Sequence, residues 1–233
     1  MENYSASSIS DLERLLEGMQ ATKVVIVAVG LPGAGKSTLA SHCKGPHFCW
    51  INWDAVASDV TARCGVDREA LFECPPDGSF VGQIVKGKEC YGPVVENTYP
   101  KGRPLIYSFS LSLNWEVEHR CQNDIRAALL NDGIKTIFID RCHLRRWQRA
   151  QYELALSIPS LNVRRVAIVF PLTNIDLYSD RVESRWKDGD ESGVKRCISR
   201  EKILQFEKLF EEIDATENFD RVIHYSGNVG REV

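Results

Sequence analysis

The chain has 233 residues, 43% of them hydrophobic, enough to bury one sizeable core and too few for two ordinary domains with a linker. A formal net charge of −3 excludes a chain that is basic overall, so any nucleic acid must be met by a local basic patch. The eight cysteines are scattered, with no C-x-x-C pair and no histidine at zinc spacing, which excludes a zinc module and reads as reduced intracellular thiols.

In chain order, the start MENYSASSIS has no cationic flank before an apolar stretch, and no run reaches the ~18 apolar residues of a membrane span. A cytoplasmic or nuclear protein without a membrane partner is expected. Ser10 is placed to cap a short helix running to about Met19, with Leu12, Leu15, Leu16 and Met19 on one face. The run VVIVAV, residues 24–29, predicts a strand buried on both faces of a parallel sheet. GLPGAGKST, residues 30–38, follows it, and then a helix to about Cys43. Further strands are predicted at 47–52, ending just before Asp54, at 135–140, ending on Asp140, at 164–170, and from about Arg221. Helical patterns fill 114–131, 144–157, 174–186 and 199–213. This alternation predicts one α/β domain over residues 1–233: three layers, with helices on both faces of a central parallel sheet. Residues 64–113, rich in Gly, Pro and Cys, keep neither period and read as an irregular insertion, either a surface elaboration or a wall of a substrate site.

The spacing Gly30-x-x-x-x-Gly35-Lys36-Ser37 is that of a phosphate-binding loop, the P-loop or Walker A motif. Glycines stand where backbone N–H groups must turn inward around phosphate oxygens. Gly30, Pro32, Gly33, Ala34, Gly35, Lys36, Ser37 and Thr38 form the expected nucleotide site, with Lys36 reaching the β- and γ-phosphates and Ser37 ligating Mg²⁺. ATP is the expected nucleotide, with GTP as the alternative. Such a loop leaves kinase, GTPase, motor ATPase and regulatory binding module open. The chain has no D-x-x-G after a strand and no N-K-x-D to read guanine, and one acidic residue, Asp140, where motors carry a pair.

Asp54, at the end of a predicted strand, is placed to accept the proton of an attacking hydroxyl, unless it only caps the helix that follows. Asp140 occupies the place of a Walker-B carboxylate holding Mg²⁺, again with a helix cap as the alternative. After it comes RCHLRRWQR, where Arg141, His143, Arg145 and Arg149 are candidates for the acceptor side; on a continuous helix Arg145 and Arg149 would share a face with Arg146 beside it. Arg181 and Arg185, one helical turn apart, can stabilise charge on a transferred phosphoryl group or merely form surface ion pairs. The polar KDGDESGVKR beyond them suits a mobile lid over about 181–198, with Lys187 and Arg196 as further cations.

These elements together resemble the 5′-hydroxyl polynucleotide kinase family, including its phage-type and RNA-ligase-associated members. GLPGAGKST is similar to that family's loop, INWDAVA to its strand-plus-aspartate segment, FIDRCHLRRWQR to the segment after its third strand, and ENFDRVIHY to its closing strand. Arg181-x-x-x-Arg185 matches the spacing of its lid arginines. The resemblance covers about half of the chain and implies Asp54 as general base and a nucleic-acid 5′ end as acceptor. Three departures stand out. Ala57 occupies the place of an arginine that grips the acceptor phosphate, Arg141 and Cys142 replace a polar pair, and the insertion at 64–113 is unlike compact members. The expected activity is transfer of the γ-phosphoryl of an NTP, with Mg²⁺, to the 5′-OH of RNA or DNA. A nucleoside or small-molecule kinase, and a decayed nucleotide-binding regulator, are the alternatives.

Overall fold

The structure is a computed structural model that describes residues 1–19, 21–65, 105–159, 161–188 and 198–227. The chain divides into two compact units, one of residues 1–52 and 124–233, the other of residues 53–123. The expected insertion falls in the second, with 66–104 outside the described residues, and 189–197 of the expected lid lie outside them as well.

The first unit is built on a six-stranded parallel sheet in the order β1-β6-β5-β2-β4-β3. Its strands are β1 (Glu2–Ala6), β2 (Lys23–Val29), β3 (Phe48–Asn52), β4 (Thr136–Asp140), β5 (Val163–Val169) and β6 (Arg221–Tyr225). β2, with its β-branched run, lies between β5 and β4 and is buried on both sides. Side chains alternate between faces. Ile26 and Ala28 of β2, Phe138 of β4, Val166 and Ile168 of β5, and Ile223 and Tyr225 of β6 therefore share one face. They form one buried cluster with Leu12 of α1 (Ile9–Glu17), Leu39 and Ala40 of α2 (Lys36–His42) and Ile203 of α8 (Arg200–Glu207). Burying a side chain such as Leu39 contributes about 1.5–3 kcal/mol, and this packing fixes α2 and the loop before it.

The alternating β/α order and parallel sheet agree with the sequence reading; several boundaries do not. β1, which the sequence reading left out, is an edge strand whose polar side chains face outward while Tyr4 lies under the Arg221 guanidinium. The cap of α1 is Ser8 rather than Ser10, since Ser8 is extended and its hydroxyl accepts from the Asp11 N–H at 3.1 Å. The predicted helix at 144–157 is broken into α5 (Arg146–Ala150) and α6 (Glu153–Leu156), because Arg145 is extended and Tyr152 is drawn into the interior. α4 (Leu105–Leu130) begins well inside the expected insertion. α7 (Ile175–Asp188) follows β5. At the amino end of β2, the buried Lys23 ammonium donates to the carbonyls of Asn131 and Ile134, closing the chain after α4; burial lowers its pKa.

The second unit holds α3 (Trp53–Cys64) and the first part of α4. The Trp53 indole donates to Glu118 Oε1 at 2.9 Å, and Asp59 meets Arg63 at 2.6 Å and Arg120 at 4.0 Å. Among the described residues no helix is long and apolar enough to cross a membrane.

Candidate active site

The loop between β2 and α2 turns through two left-handed glycines, Gly33 at φ 82° and Gly35 at φ 98°. Gly33 is required twice over, because a Cβ there would lie 2.4 Å from the Tyr178 carbonyl oxygen of α7. Gly30 is held close as well: a Cβ would meet that of Phe170 at 2.8 Å, while its N–H donates to the Cys142 carbonyl at 2.9 Å. The loop is thus clamped between the ends of β4 and β5 and α7. Lys36 is buried, and its ammonium donates to the carbonyls of Gly30 at 3.0 Å and Leu31 at 2.7 Å. Ser37 is half-buried and Thr38 exposed on the first turn of α2; Pro32 is half-buried and Ala34 buried in the loop. From α7, Arg181 Nη1 approaches the Gly33 carbonyl at 3.4 Å, and the Tyr178 hydroxyl donates to the Pro171 carbonyl at 2.7 Å. Two cations of the predicted site, Lys36 and Arg181, therefore reach the same loop. Arg185 lies on α7; its side chain, that of Lys187, and Arg196 lie outside the described residues.

Asp140 is the last residue of β4 and is 5% exposed. It has the parity of Phe138, so it projects on the sheet face that carries α2 and Ser37. Its Oδ2 accepts from the Trp50 indole at 3.2 Å and from the Asn52 amide at 3.4 Å, both on the neighbouring β3. A serine hydroxyl and a carboxylate are hard oxygen donors, and Mg²⁺ characteristically takes one or two carboxylates and completes its shell with phosphate oxygens and water. Among the described residues no group of three or more His, Cys, Asp or Glu could form an all-protein cage. Ser37 and Asp140 fit the donor set of a phosphate-bound Mg²⁺.

The basic segment after Asp140 separates into different roles. His143 is a correction to the acceptor-side expectation: it is fully buried, at φ 46°, with Nδ1 2.7 Å from the Ala28 carbonyl and Nε2 3.2 Å from the Tyr152 hydroxyl. Burial, helped by the nearby Arg141, pushes its pKa down to about 3, so it is neutral and ties the end of β4 to β2. Arg149 is a second correction. Its guanidinium is 1% exposed, pairs with Glu217 at 2.6 Å, and donates to the carbonyls of His143 and Leu144. It does not share a helix face with Arg145, which precedes α5 in extended conformation. Arg146 pairs with Asp214 at 3.0 Å. Arg141 and Arg145 are half-buried at the carboxyl end of β4 and keep their place as candidates.

In the second unit, Asp54 is exposed in the first turn of α3, directly after Trp53. Ala57 is fully buried, and its carbonyl accepts from the Thr61 hydroxyl at 2.9 Å.

A model of the AAA domain family matches residues 25–213, a span that includes the loop, Asp140 and α7. The chain belongs to this family. Its AAA domain has a P-loop kinase-like fold. A fungal RNA kinase is similar in structure, with 15% identity over 91% of this chain and 77% of the other and a TM-score of 0.43. A protein of Chloroflexus aurantiacus J-10-fl, proposed to be a kinase, is similar with 11% identity over 88% of this chain and 89% of the other and a TM-score of 0.49. No curated protein sequence matches the chain. Sequence reasoning missed Trp50, Asn52 and Tyr178 in this AAA domain. The first two sit on one parity of a strand, but their relation to Asp140 depends on register, which one sequence does not supply.

Proposed function

We propose that the protein is an NTP- and Mg²⁺-dependent phosphotransferase that moves the γ-phosphoryl group to the 5′-OH of RNA or DNA. The observation that carries the transfer reading is the seating of α7 on the P-loop, which brings Arg181 to the loop that already holds Lys36. A second cation there answers a need that mere nucleotide binding does not have, since charge on the transferred group must be stabilised, an effect that can reach ~10³-fold or more. In this reading Lys36 and the loop amides hold the β- and γ-phosphates, and Arg181, with Arg185, meets the developing charge. Ser37 and Asp140 would hold Mg²⁺, whose contribution when bound is to neutralise the phosphate oxygens. Asp54 takes the proton of the acceptor hydroxyl as its oxygen bonds to the γ-phosphorus and the bond to the β-phosphate oxygen breaks, releasing NDP. The nucleic-acid acceptor rests on the sequence resemblance and on the half-buried place of Arg141 and Arg145 in the segment that follows β4. A nucleoside or other small molecule is the second reading, favoured by the buried Ala57 where a phosphate-gripping arginine is expected.

The test incubates protein, Mg²⁺ and γ-labelled NTP with 5′-OH RNA and DNA oligonucleotides and, in parallel, with nucleosides and metabolites. Label on the oligonucleotide 5′ end is expected; label on a small molecule alone selects the second reading. Binding of NTP with transfer to nothing would overturn both in favour of a nucleotide-binding regulator. Asp54→Asn is expected to lower transfer by 10²-fold or more while sparing NTP affinity.

A further inference from the structure

Asp140 is supported from β3. Asn52 is its register partner, and Trp50 lies on the diagonal, two residues earlier on the same face. The indole has one polar atom, a donor only, and it points at the carboxylate, 3.2 Å from Oδ2. On the edge strand β3, Trp50 is half-buried and its ring packs against the core cluster, but that packing does not require the indole N–H to meet a carboxylate. Its ring is held from outside the sheet by the Lys44 ammonium, 5.0 Å from the ring centroid. The indole is thus fixed between a cation on its face and a carboxylate at its N–H.

We infer that Trp50 is a positioning residue of Asp140: its N–H helps to fix the rotamer of the carboxylate, so the affinity of the Ser37 and Asp140 oxygens for a divalent metal ion depends on an indole that ligates neither the metal nor the nucleotide. The inference rests on the phosphotransferase reading for the use of the site. Partners that orient a metal-binding carboxylate in this way change metal affinity or activity by about 10–100-fold when removed. Asn52, at 3.4 Å, is the weaker support.

The test uses the full chain and two substitutions. Trp50→Phe keeps an aromatic ring under Lys44 and removes only the N–H. It is expected to raise the Mg²⁺ midpoint for binding of a non-hydrolysable NTP analogue by about 10-fold or more, with metal-free analogue affinity within about twofold. The second arm leaves Trp50 in place. In protein labelled with 5-fluorotryptophan, the ¹⁹F resonance that disappears in Trp50→Phe is expected to shift with Asp140→Asn and with Mg²⁺ added to the analogue complex. A Mg²⁺ midpoint within twofold of wild type in Trp50→Phe, or a Trp50 resonance indifferent to Asp140→Asn, would overturn the inference. Neither readout requires turnover, so absence of transfer to any acceptor with both responses present would sink the phosphotransferase reading alone.

Discussion

His143 shows how burial decides what a side chain can do. In the sequence it is one polar residue in a basic run, and there a phosphate ligand and a helix cap read alike. In the fold it is an uncharged strut between the Ala28 carbonyl and the Tyr152 hydroxyl. The unfolded chain takes up a proton at this residue below its ordinary value near 6.5, whereas the folded protein resists until about pH 3. The unfolded state therefore binds more protons over that window, and stability falls with falling pH by about 1.4 kcal/mol per unit from this group alone. Asn also tolerates a left-handed backbone. Denaturant unfolding between pH 6.5 and 4 should show a shallower acid limb for His143→Asn than for wild type, whatever its absolute stability. Gly33 makes a second residue-level test, because strain and collision coincide there. Gly33→Ala must adopt φ near 82° and displace α7, so a loss of about 1–3 kcal/mol and of nucleotide binding is expected by melting and by titration.

Among elements, α5 is too short to persist by propensity and is held by a buried ion pair to the 3₁₀ turn Ala215–Glu217. Arg149→Met leaves the Glu217 carboxylate buried without its cation and should cost about 3–5 kcal/mol, whereas Arg149→Met with Glu217→Leu should recover a large part; paired denaturation curves measure both. The same element marks where sequence reading stopped. The strands β2, β4 and β5 were legible because a parallel sheet covered on both faces demands unbroken apolar runs. β1 was not, since an edge strand needs only Tyr4 and Ala6 to face inward and otherwise looks like a polar terminus. The break between α5 and α6 was hidden for the opposite reason: residues 144–157 carry good helix formers throughout, and the interior claims Tyr152 and Arg149 against local preference.

At the scale of the whole molecule, the P-loop, Asp140 and α7 are all carried by the first unit, at the carboxyl ends of β2, β4 and β5, where open α/β sheets bind ligands. The loop and its lysine could be read from spacing alone, because backbone geometry dictates the residue types. The supports around them could not, since Trp50 to Asp140 and Arg181 to Gly33 join strands and helices distant in sequence. If this unit holds the donor, a ligand that binds only the folded chain must stabilise it by mass action, by about 2.7 kcal/mol at 100 times its Kd. For a chain of this length each kcal/mol moves Tm by about 2–4 °C, so saturating Mg²⁺ and a non-hydrolysable NTP analogue should raise Tm by about 5–10 °C. Lys36→Met should abolish that shift and Asp54→Asn should keep it, because the first holds the donor and the second acts on the acceptor. Loss of the shift in both variants would place Asp54 in donor binding and remove it as the base; retention in both would mean that the nucleotide is held elsewhere than at Gly30 to Thr38.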